Sequence, residues 1–283
     1  MSRHRLTITL RSDILKQVDR LVDGAKIRNR SHAIEVLLQK GVSRGVSRAL
    51  ILAGGQGLKL RPFTYELPKA MLPVAGKPLL EHTIALCRKH ELRDLVISIG
   101  HLGEKIREHF GDGSRFGVRI TYLVQEGGES GTAQLVHAAR NELGDAPFLL
   151  YYGDVLADLN LTDLIDFHFS SQGVATLALT SVASTADWGV VSLHGARITS
   201  FTEKPGAAKT RSHVINAGVA VLQPEIFTTL TPKDGKLEAD VFPRLAKEGK
   251  LFGYLFEGRW YDVGSPETYE AAVKEWGNGA SGG

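Results

Sequence analysis

Three glycines and two lysines between positions 54 and 69 have the types and spacing of a loop that holds phosphate groups. Gly54, Gly55 and Gly57 directly follow a short apolar run. Glycine lets the backbone approach a ligand closely and turn its N–H groups toward anionic oxygens. Lys59 and Lys69 add positive charge where a triphosphate would lie. The segment therefore indicates phosphate binding, although a glycine-rich turn between a strand and a helix uses the same residue types.

Two aspartates stand at places that suit a metal ion. Asp154 follows the apolar run 147–152. An aspartate at the carboxyl end of a strand can bind Mg²⁺, a hard cation that prefers carboxylate oxygens. Taken alone, Asp154 is more typical of an ordinary turn after a strand. Asp262 lies far along the chain, beside the aromatic residues Trp260 and Tyr269. We interpret both aromatic residues as core residues, and spacing alone does not bring the two aspartates together.

The elements that must position these residues alternate between strands and helices. Apolar strands that alternate with amphipathic helices predict an α/β fold with a mixed, mostly parallel sheet, covered on both faces. Ligands in such sheets bind outside the carboxyl ends of the strands. After residue 173 strand-like stretches dominate, and they predict an appended antiparallel portion that carries substrate-binding loops. The predicted strands are 49–53, 94–99, 120–124, 147–152, 174–180, 190–193, 198–202, 214–222 and 251–256, and the predicted helices are 78–89, 102–110 and 132–143.

The composition is that of a globular protein, with 43% hydrophobic and 23% charged residues among 283. The single cysteine excludes an internal disulfide framework and a cysteine-rich zinc site. No apolar run approaches the roughly 20 residues of a membrane span. Charged residues interrupt the N-terminal segment where a signal peptide needs apolar ones. These observations favour a cytoplasmic protein.

The charge divides the chain into two parts. Residues 1–48 carry 11 lysines and arginines against 4 aspartates and glutamates, a net of +7, whereas the rest carries 23 against 27. A tandem Gly-Val-Ser-Arg at 41–48 separates them and is typical of a linker. We therefore predict a small module at 1–41, a linker at 42–48, a large domain at 49–276 and a flexible tail at 277–283.

The order of the motifs in the large domain resembles that of the sugar-1-phosphate nucleotidyltransferases. The segment 52–64, LAGGQGLKLRPFT, is similar to the family signature L-A-G-G-x-G-T-R-L-x-P-L-T, and P-K and P-V-x-x-K-P motifs follow it. The later motifs G-T-A, W-G-V-V, E-K-P, N-A-G and W-x-D-x-G-S-P stand in family order at 131–133, 188–191, 203–205, 216–218 and 260–266. The resemblance implies a Rossmann-like domain that transfers a nucleoside monophosphate from an NTP to a sugar 1-phosphate. Pyrophosphate would leave, and Mg²⁺ would be the cofactor.

The resemblance also implies a role for each matching residue. The catalytic residues would be Lys59, Lys69, Asp154 and Lys204, and the metal ligands would be Asp154 and Asp262. The nucleotide would be bound by Ala53, Gly54, Gly55, Gly57, Gln125, Gly131 and Thr132. The sugar would be bound by Gly189, Glu203, Lys204 and Asn216.

Two features of the domain bear on its activity and substrates. Leu58 and Lys59 replace the family's Thr-Arg pair, and lysine keeps the charge without the two-pronged hydrogen bonding of arginine. Two interpretations therefore remain: an active enzyme, or a catalytically weak regulator that senses nucleotide sugars. The segment 238–246 resembles the D-V-F-P-x-L-A of mannose-1-phosphate guanylyltransferases, which favours GTP and a mannose-like sugar.

Residues 1–41 predict a strand followed by two helices. Polar and apolar residues alternate strictly over 5–10, and apolar residues then recur at helical spacing. About 40 residues bury too small a core to fold alone. The arrangement resembles the ribbon-helix-helix family, in which two chains pair their strands. This implies a homodimer that binds double-stranded DNA, with contacts from Arg5, Thr7, Thr9 and Ser31. The alternative is a clip that only dimerises, although a net of +7 suits phosphate contact.

Overall fold

The computed structural model describes residues 7–22, 24, 27–34, 37, 45–125, 130–206 and 210–277. The chain divides into two compact units, Met1–Gly45 and Val46–Gly283. The predicted DNA contact Arg5, the linker residues 42–44 and the tail residues 278–283 lie outside the described residues. Within the described part of the chain, no helix is both long and apolar enough to cross a membrane.

The N-terminal unit contains the two predicted helical segments. The first is α1, Ser12–Leu21, and residues 30–34 and 37 are also helical. The Asn29 Oδ1 atom caps the second segment by accepting from the His32 N–H at 2.9 Å. A two-pronged ion pair between Arg30 and Asp19, at 2.5 and 2.8 Å, ties the two segments together. Residues 7–10 pair with no strand among the described residues, so the strand proposed there stays a prediction.

The larger unit is built of thirteen strands and nine α-helices within the described residues. The strands are β1 Arg48–Leu52, β2 Pro73–Val74, β3 Lys77–Pro78, β4 Asp94–Ile99, β5 Arg119–Val124, β6 Phe148–Tyr152, β7 Val155–Ala157, β8 Ala175–Ser181, β9 Gly189–His194, β10 Arg197–Glu203, β11 Val214–Leu222, β12 Leu251–Leu255 and β13 Trp260–Asp262. The helices are α2 Phe63–Glu66, α3 Leu79–Lys89, α4 Gly103–Phe110, α5 Thr132–Ala138, α6 Arg140–Leu143, α7 Leu161–Ser171, α8 Ile226–Thr229, α9 Phe242–Lys247 and α10 Pro266–Trp276.

Nine of these described strands form one mixed sheet in the order β5-β4-β1-β6-β11-β8-β12-β10-β9. The four strands β5, β4, β1 and β6 are parallel. Beyond them β11 runs antiparallel to β6 and β8, and β8 pairs parallel with β12. The prediction of a mixed sheet is confirmed. The sheet is not mostly parallel, however, because β6–β11, β11–β8, β12–β10 and β10–β9 are all antiparallel pairs. The later strands extend the same sheet, and β11 joins them to the first half.

Both faces of the sheet are covered, as the near-continuous apolar strands predict. Within β1, Ala49 and Ile51 pack on one face with Ile84 of α3 and Leu164 of α7. Leu50 packs on the other face, in the cluster that also contains side chains of α5, α8 and α9. Successive side chains of a strand point to opposite faces of the sheet, so the core consists of two layers, one on each face.

The helix boundaries depart from prediction in two ways. The helix predicted over 132–143 is interrupted at Ala139, which separates α5 from α6. The helices α7 and α10 were not predicted, although each begins at a good N-cap. Asn160 accepts from two N–H groups at the start of α7, and Ser265 caps α10, which carries proline in its first turn.

Candidate active site

The glycine loop leaves the sheet at the carboxyl end of β1, between two parallel neighbours. The Ala53 N–H donates to the Ser98 carbonyl of β4 at 2.9 Å, and the Gly153 N–H donates to the Leu52 carbonyl at 2.9 Å. The ends of β4, β1 and β6 therefore meet at the edge of the sheet where ligands are expected.

Two of the loop glycines make contacts or turns that a side chain would disturb. A Cβ on Gly54 would lie 2.0 Å from the side-chain nitrogen of Gln125. That amide donates to Ser98 Oγ at 2.8 Å. Gly57 has a left-handed φ of +64°, and its carbonyl accepts from Thr64 Oγ1 at 2.8 Å. A Cβ on Gly55 would meet no atom within 4 Å, so this position opens onto free space.

The loop forms one wall of a pocket of about 270 Å³. The predicted nucleotide residues Ala53, Gly54, Gly55, Gly57, Gln125 and Thr132 line it, together with Lys69 and Asp154. Gly131 does not line it. A Cβ on Gly131 would lie 1.9 Å from the Gly235 carbonyl, so glycine there permits a close backbone approach. Its neighbours Ser130 and Thr132 do line the pocket, and the contact of Gly131 with the nucleotide stays a prediction.

A second pocket, of about 260 Å³, adjoins the first. All four predicted sugar residues, Gly189, Glu203, Lys204 and Asn216, line it. Trp188 and Trp260 also line it, edge to face, with ring centroids 5.1 Å apart. The Trp260 indole N–H donates to the Ala217 carbonyl at 2.9 Å. Trp260 packs on the core as predicted, but it also faces the pocket, whereas Tyr269 does not.

Three side chains, Thr132, Tyr152 and Asp154, line both pockets. Asp154 forms an ion pair with Lys69 there. The antiparallel ladder of β7 and β13 sets Val155 opposite Asp262, and the Val263 N–H donates to the Asp154 carbonyl at 2.9 Å. The ladder thereby brings the two distant aspartates together, which the sequence alone did not.

Lys69, Asp154 and Asp262 form a cluster whose charges interact strongly. Burial, followed by the negative charge of Asp154, raises the pKa of Asp262 to about 7, and the nearby lysines oppose this shift. Burial by itself would lower the pKa of Lys69. The carboxylates of Asp154 and Asp262 outweigh that effect and raise it, so Lys69 stays charged.

Of the remaining predicted catalytic lysines, Lys204 lines the second pocket, whereas Lys59 lines neither of the two. The exposed Lys59 belongs to the 3₁₀ turn Leu58–Leu60, and its charge reaches Asp262. Lys204 follows β10 with a left-handed φ of +43°, which is uncommon for a long side chain. Its backbone N–H donates to the Trp188 carbonyl at 3.0 Å. The pKa of the neighbouring Glu203 is raised by burial and by Glu238.

Comparison with known proteins fits this geometry. Residues 48–278 match the family model described as nucleotidyl transferase. The chain belongs to the nucleotidyl transferase family. Over 244 residues it is 31% identical to a UTP–glucose-1-phosphate uridylyltransferase of Synechocystis, covering 80% of this chain and 62% of the relative. Over 228 residues it is 32% identical to a mannose-1-phosphate guanylyltransferase of Mycobacterium tuberculosis, covering 78% and 62%.

The larger unit of this nucleotidyl transferase also has the fold of solved structures. It matches that of a UDP-glucose pyrophosphorylase complexed with UDP-glucose, with a TM-score of 0.72 and 21% identity. The match covers 83% of this chain and 99% of that one. In the two sequence relatives, by contrast, this chain spans only 62% of their length.

The aspartate pair of this nucleotidyl transferase fits a divalent cation. No group of three or more His, Cys, Asp or Glu side chains in the described part of the chain could hold a metal ion. Mg²⁺, however, is often held by one or two carboxylates with substrate phosphates and water completing its shell. The carboxylates of Asp154 and Asp262 provide the hard oxygens that this ion prefers, and a bound cation would offset the burial and the Asp154 charge that together raise the pKa of Asp262.

One residue of the nucleotidyl transferase site was missed by the sequence analysis. Glu238 lines the second pocket and is buried. It accepts from Thr132 Oγ1 at 2.7 Å and from the Tyr152 hydroxyl. Its partners Thr132 and Tyr152 lie far away in sequence, so no local pattern indicated this role, and the segment 238–246 was used only to infer the substrate.

Proposed function

We propose that the larger unit transfers a nucleoside monophosphate from an NTP to a sugar 1-phosphate and releases pyrophosphate. The observation that carries the proposal is the Lys69, Asp154 and Asp262 cluster, of which Asp154 lines both pockets. A triphosphate in the first pocket and a sugar phosphate in the second would meet at this cluster. The family membership supports the same reaction class.

The reaction needs no side-chain nucleophile. A phosphate oxygen of the sugar phosphate attacks the α-phosphorus, and a new P–O bond forms as the bond to the bridging β-oxygen breaks. Pyrophosphate leaves with that electron pair. Catalysis then consists of positioning and charge neutralisation. Lys69 and Lys204 would hold the reacting phosphates, and Lys59 would bind the leaving group.

Asp154 and Asp262 would hold a Mg²⁺ ion. When bound, the ion would neutralise charge on the phosphate oxygens. Lys69 beside Asp154 already supplies one fixed positive charge at this place.

For the substrates we favour GTP and mannose 1-phosphate. The support is the segment 238–246 and the mannose-1-phosphate guanylyltransferase among the relatives. The uridylyltransferase among them keeps UTP with glucose 1-phosphate as the second pair.

Pyrophosphate release tests the activity. The full chain is incubated with Mg²⁺ and each combination of four NTPs with mannose, glucose and galactose 1-phosphates. We expect the highest kcat/KM for GTP with mannose 1-phosphate. A folded chain that binds nucleotide but turns over no pair would remove the catalytic proposal.

The 3₁₀ turn after the glycine loop favours a second candidate, a nucleotide-sugar sensor. Leu58 is 53% exposed where the family signature has threonine, and Lys59 takes the place of arginine. A loop that binds phosphates without accelerating transfer would keep nucleotide affinity. Tight binding of GDP-mannose to a chain with no turnover is the result that this alternative predicts.

For the N-terminal unit we infer a dimer that binds double-stranded DNA. The support is the net charge of +7 over residues 1–48 and the exposure of Thr7, Thr9 and Ser31 beside the exposed apolar Ile8. Sedimentation of the full chain should give a dimer mass. Mobility shifts of duplex DNA should weaken as salt rises. A dimer without salt-dependent DNA binding would leave only the dimerising clip, and a monomer would remove both roles.

A further inference from the structure

The two pockets are separated by side chains that a single carboxylate holds. Glu238 is only 8% exposed. One of its oxygens accepts from the Thr132 hydroxyl at 2.7 Å, and the other accepts from the Tyr152 hydroxyl. Thr132 and Tyr152 each line both pockets. Glu238 therefore fixes a wall that the nucleotide would contact from one side and the sugar phosphate from the other.

The backbone around Glu238 ties this wall to the nucleotide side. Glu238 belongs to the π-helical turn Leu237–Val241. The Leu237 N–H donates to Thr132 Oγ1 at 2.8 Å, so this hydroxyl accepts from the turn and donates to its glutamate. The Ala133 N–H in the first turn of α5 donates to the Gly235 carbonyl at 3.2 Å. The start of α5 and the turn are thus joined by backbone and side chain.

A second carboxylate, that of Asp240, stabilises the backbone that leads into the same turn. The Asp240 carboxylate accepts from the N–H groups of Gly235 and Lys236 at 2.8 and 2.9 Å. Lys236 lines the second pocket beside Glu238. A shift of the turn would therefore move groups in both pockets together.

We propose that Glu238 is a positioning residue that couples the two pockets, so that binding of one substrate favours binding of the other and aligns both for transfer. The inference rests on the proposed function for the identity of the two ligands. Thr132 and Tyr152 line both pockets, so the first ligand sets the position of side chains that the second ligand also contacts, and the second then binds more tightly. Linkage makes the effect equal in both directions.

Removal of either partner of the Thr132–Glu238 hydrogen bond should abolish the coupling between the two pockets. Glu238→Ala leaves the half-buried hydroxyl groups of Thr132 and Tyr152 without their acceptor, and the loss of that hydrogen bond lets both side chains move. Valine at 132 removes one hydroxyl while it keeps the shape of threonine. Serine at 132 keeps the hydroxyl and is the matched control.

Calorimetric titration of the full chain with Mg²⁺ tests the coupling. The probes are mannose 1-phosphate and a GTP analogue with methylene in place of the α–β bridging oxygen. Each Kd is measured alone and with the other probe saturating. In the wild type we expect the second probe to tighten the first at least about fivefold. In Glu238→Ala and Thr132→Val this factor should fall below about two, whereas Thr132→Ser should retain it.

A kinetic readout separates positioning from simple sugar contact. Glu238→Ala should lower kcat about tenfold or more, with each single-probe Kd within about threefold of wild type. If both probes bind the wild type without coupling, or if both variants keep the coupling, the inference is wrong and the proposed function stands. A change in the sugar phosphate Kd alone would make Glu238 a sugar ligand and also overturn it.

Two further outcomes are interpreted differently from those above. A folded wild type that binds neither probe would remove the proposed function, and the inference with it. If Glu238→Ala does not fold, the comparison of Thr132→Val with Thr132→Ser decides the question.

Discussion

Asp262 pairs directly across the β7–β13 ladder with Val155, the residue that follows Asp154. The backbone ladder, rather than a flexible loop, therefore sets how close the two carboxylates stand. The Val263 N–H bond to the Asp154 carbonyl, at 2.9 Å, fixes the same approach from the other end. A site held in this way is ordered before any substrate arrives, which is what electrostatic catalysis requires.

Neutralisation of either aspartate should abolish most of the turnover. Asp154→Asn and Asp262→Asn each keep the side-chain shape and remove one negative charge, so we expect kcat/KM to fall by about 10²-fold or more. Pyrophosphate release with saturating Mg²⁺ measures the loss. Asp158→Asn is the control, because this carboxylate is 46% exposed and pairs with Arg259. Wild-type turnover in Asp262→Asn would contradict the metal assignment.

Restoration of the family arginine should speed the transfer. Lys59 is exposed on the 3₁₀ turn, and an arginine there offers two parallel hydrogen bonds to a phosphate where lysine offers a point charge. We expect Lys59→Arg to raise kcat by up to about tenfold. Lys77→Arg, at an exposed ion pair with Glu81, is the control and should change nothing. A lower kcat in Lys59→Arg would show that lysine suits this site better.

Two glycine substitutions should have different effects, one on thermal stability and the other on nucleotide binding. Gly131→Ala puts a Cβ 1.9 Å from the Gly235 carbonyl, so we expect about 1–3 kcal/mol of destabilisation and a Tm lower by about 5 °C. Gly55→Ala meets no atom within 4 Å and should keep the wild-type Tm. Gly55 lines the nucleotide pocket, and a methyl group there would hinder the close approach of the backbone to phosphate, so the nucleotide Kd should rise about tenfold. Thermal unfolding and titration measure the two effects, and equal Tm values for both variants would refute the steric argument.

His168 should make the larger unit acid-sensitive. The residue is fully buried, its Nδ1 lies 2.8 Å from Thr176 Oγ1, and its Nε2 accepts from the Gln223 amide at 2.8 Å. Burial lowers its pKa to about 4. The unfolded chain therefore binds this proton first as the pH falls below about 6.5, and the free energy of unfolding should drop by about 2 kcal/mol between pH 7.5 and pH 5.

Denaturant titrations at several pH values measure that drop. His168→Gln should reduce the slope, because no imidazole remains to titrate. The exposed His194→Gln is the control and should keep the wild-type slope. An unchanged slope in His168→Gln would show that other groups govern the acid sensitivity.

The local elements could be predicted well from sequence, since they depend on short-range patterns. The bounds of β4 and β11 match the prediction at both ends, because each apolar run begins and ends clearly. The break at Ala139 was missed, since alanine is a good helix former and tertiary packing decides there. The partners of the later strands were also missed, because pairing joins residues far apart in sequence and no local pattern carries it.

The same contrast holds for the candidate site. The glycine loop and Lys69 lie close together in sequence and could be grouped directly. The approach of Asp262 to Asp154 depends on a ladder of three residue pairs between distant segments. The role of Glu238 depends on hydroxyl groups from two other elements, so its buried hydrogen bonds had no sequence signal.

The β7–β13 ladder also determines when the site comes into being during synthesis. A nascent chain that has left the ribosome only as far as Leu255 already contains the glycine loop, Lys69 and Asp154, yet β7 has no partner strand. Such a chain lacks the second carboxylate of the candidate site. The proposed transfer would therefore need the three residues of β13, which are made late in translation.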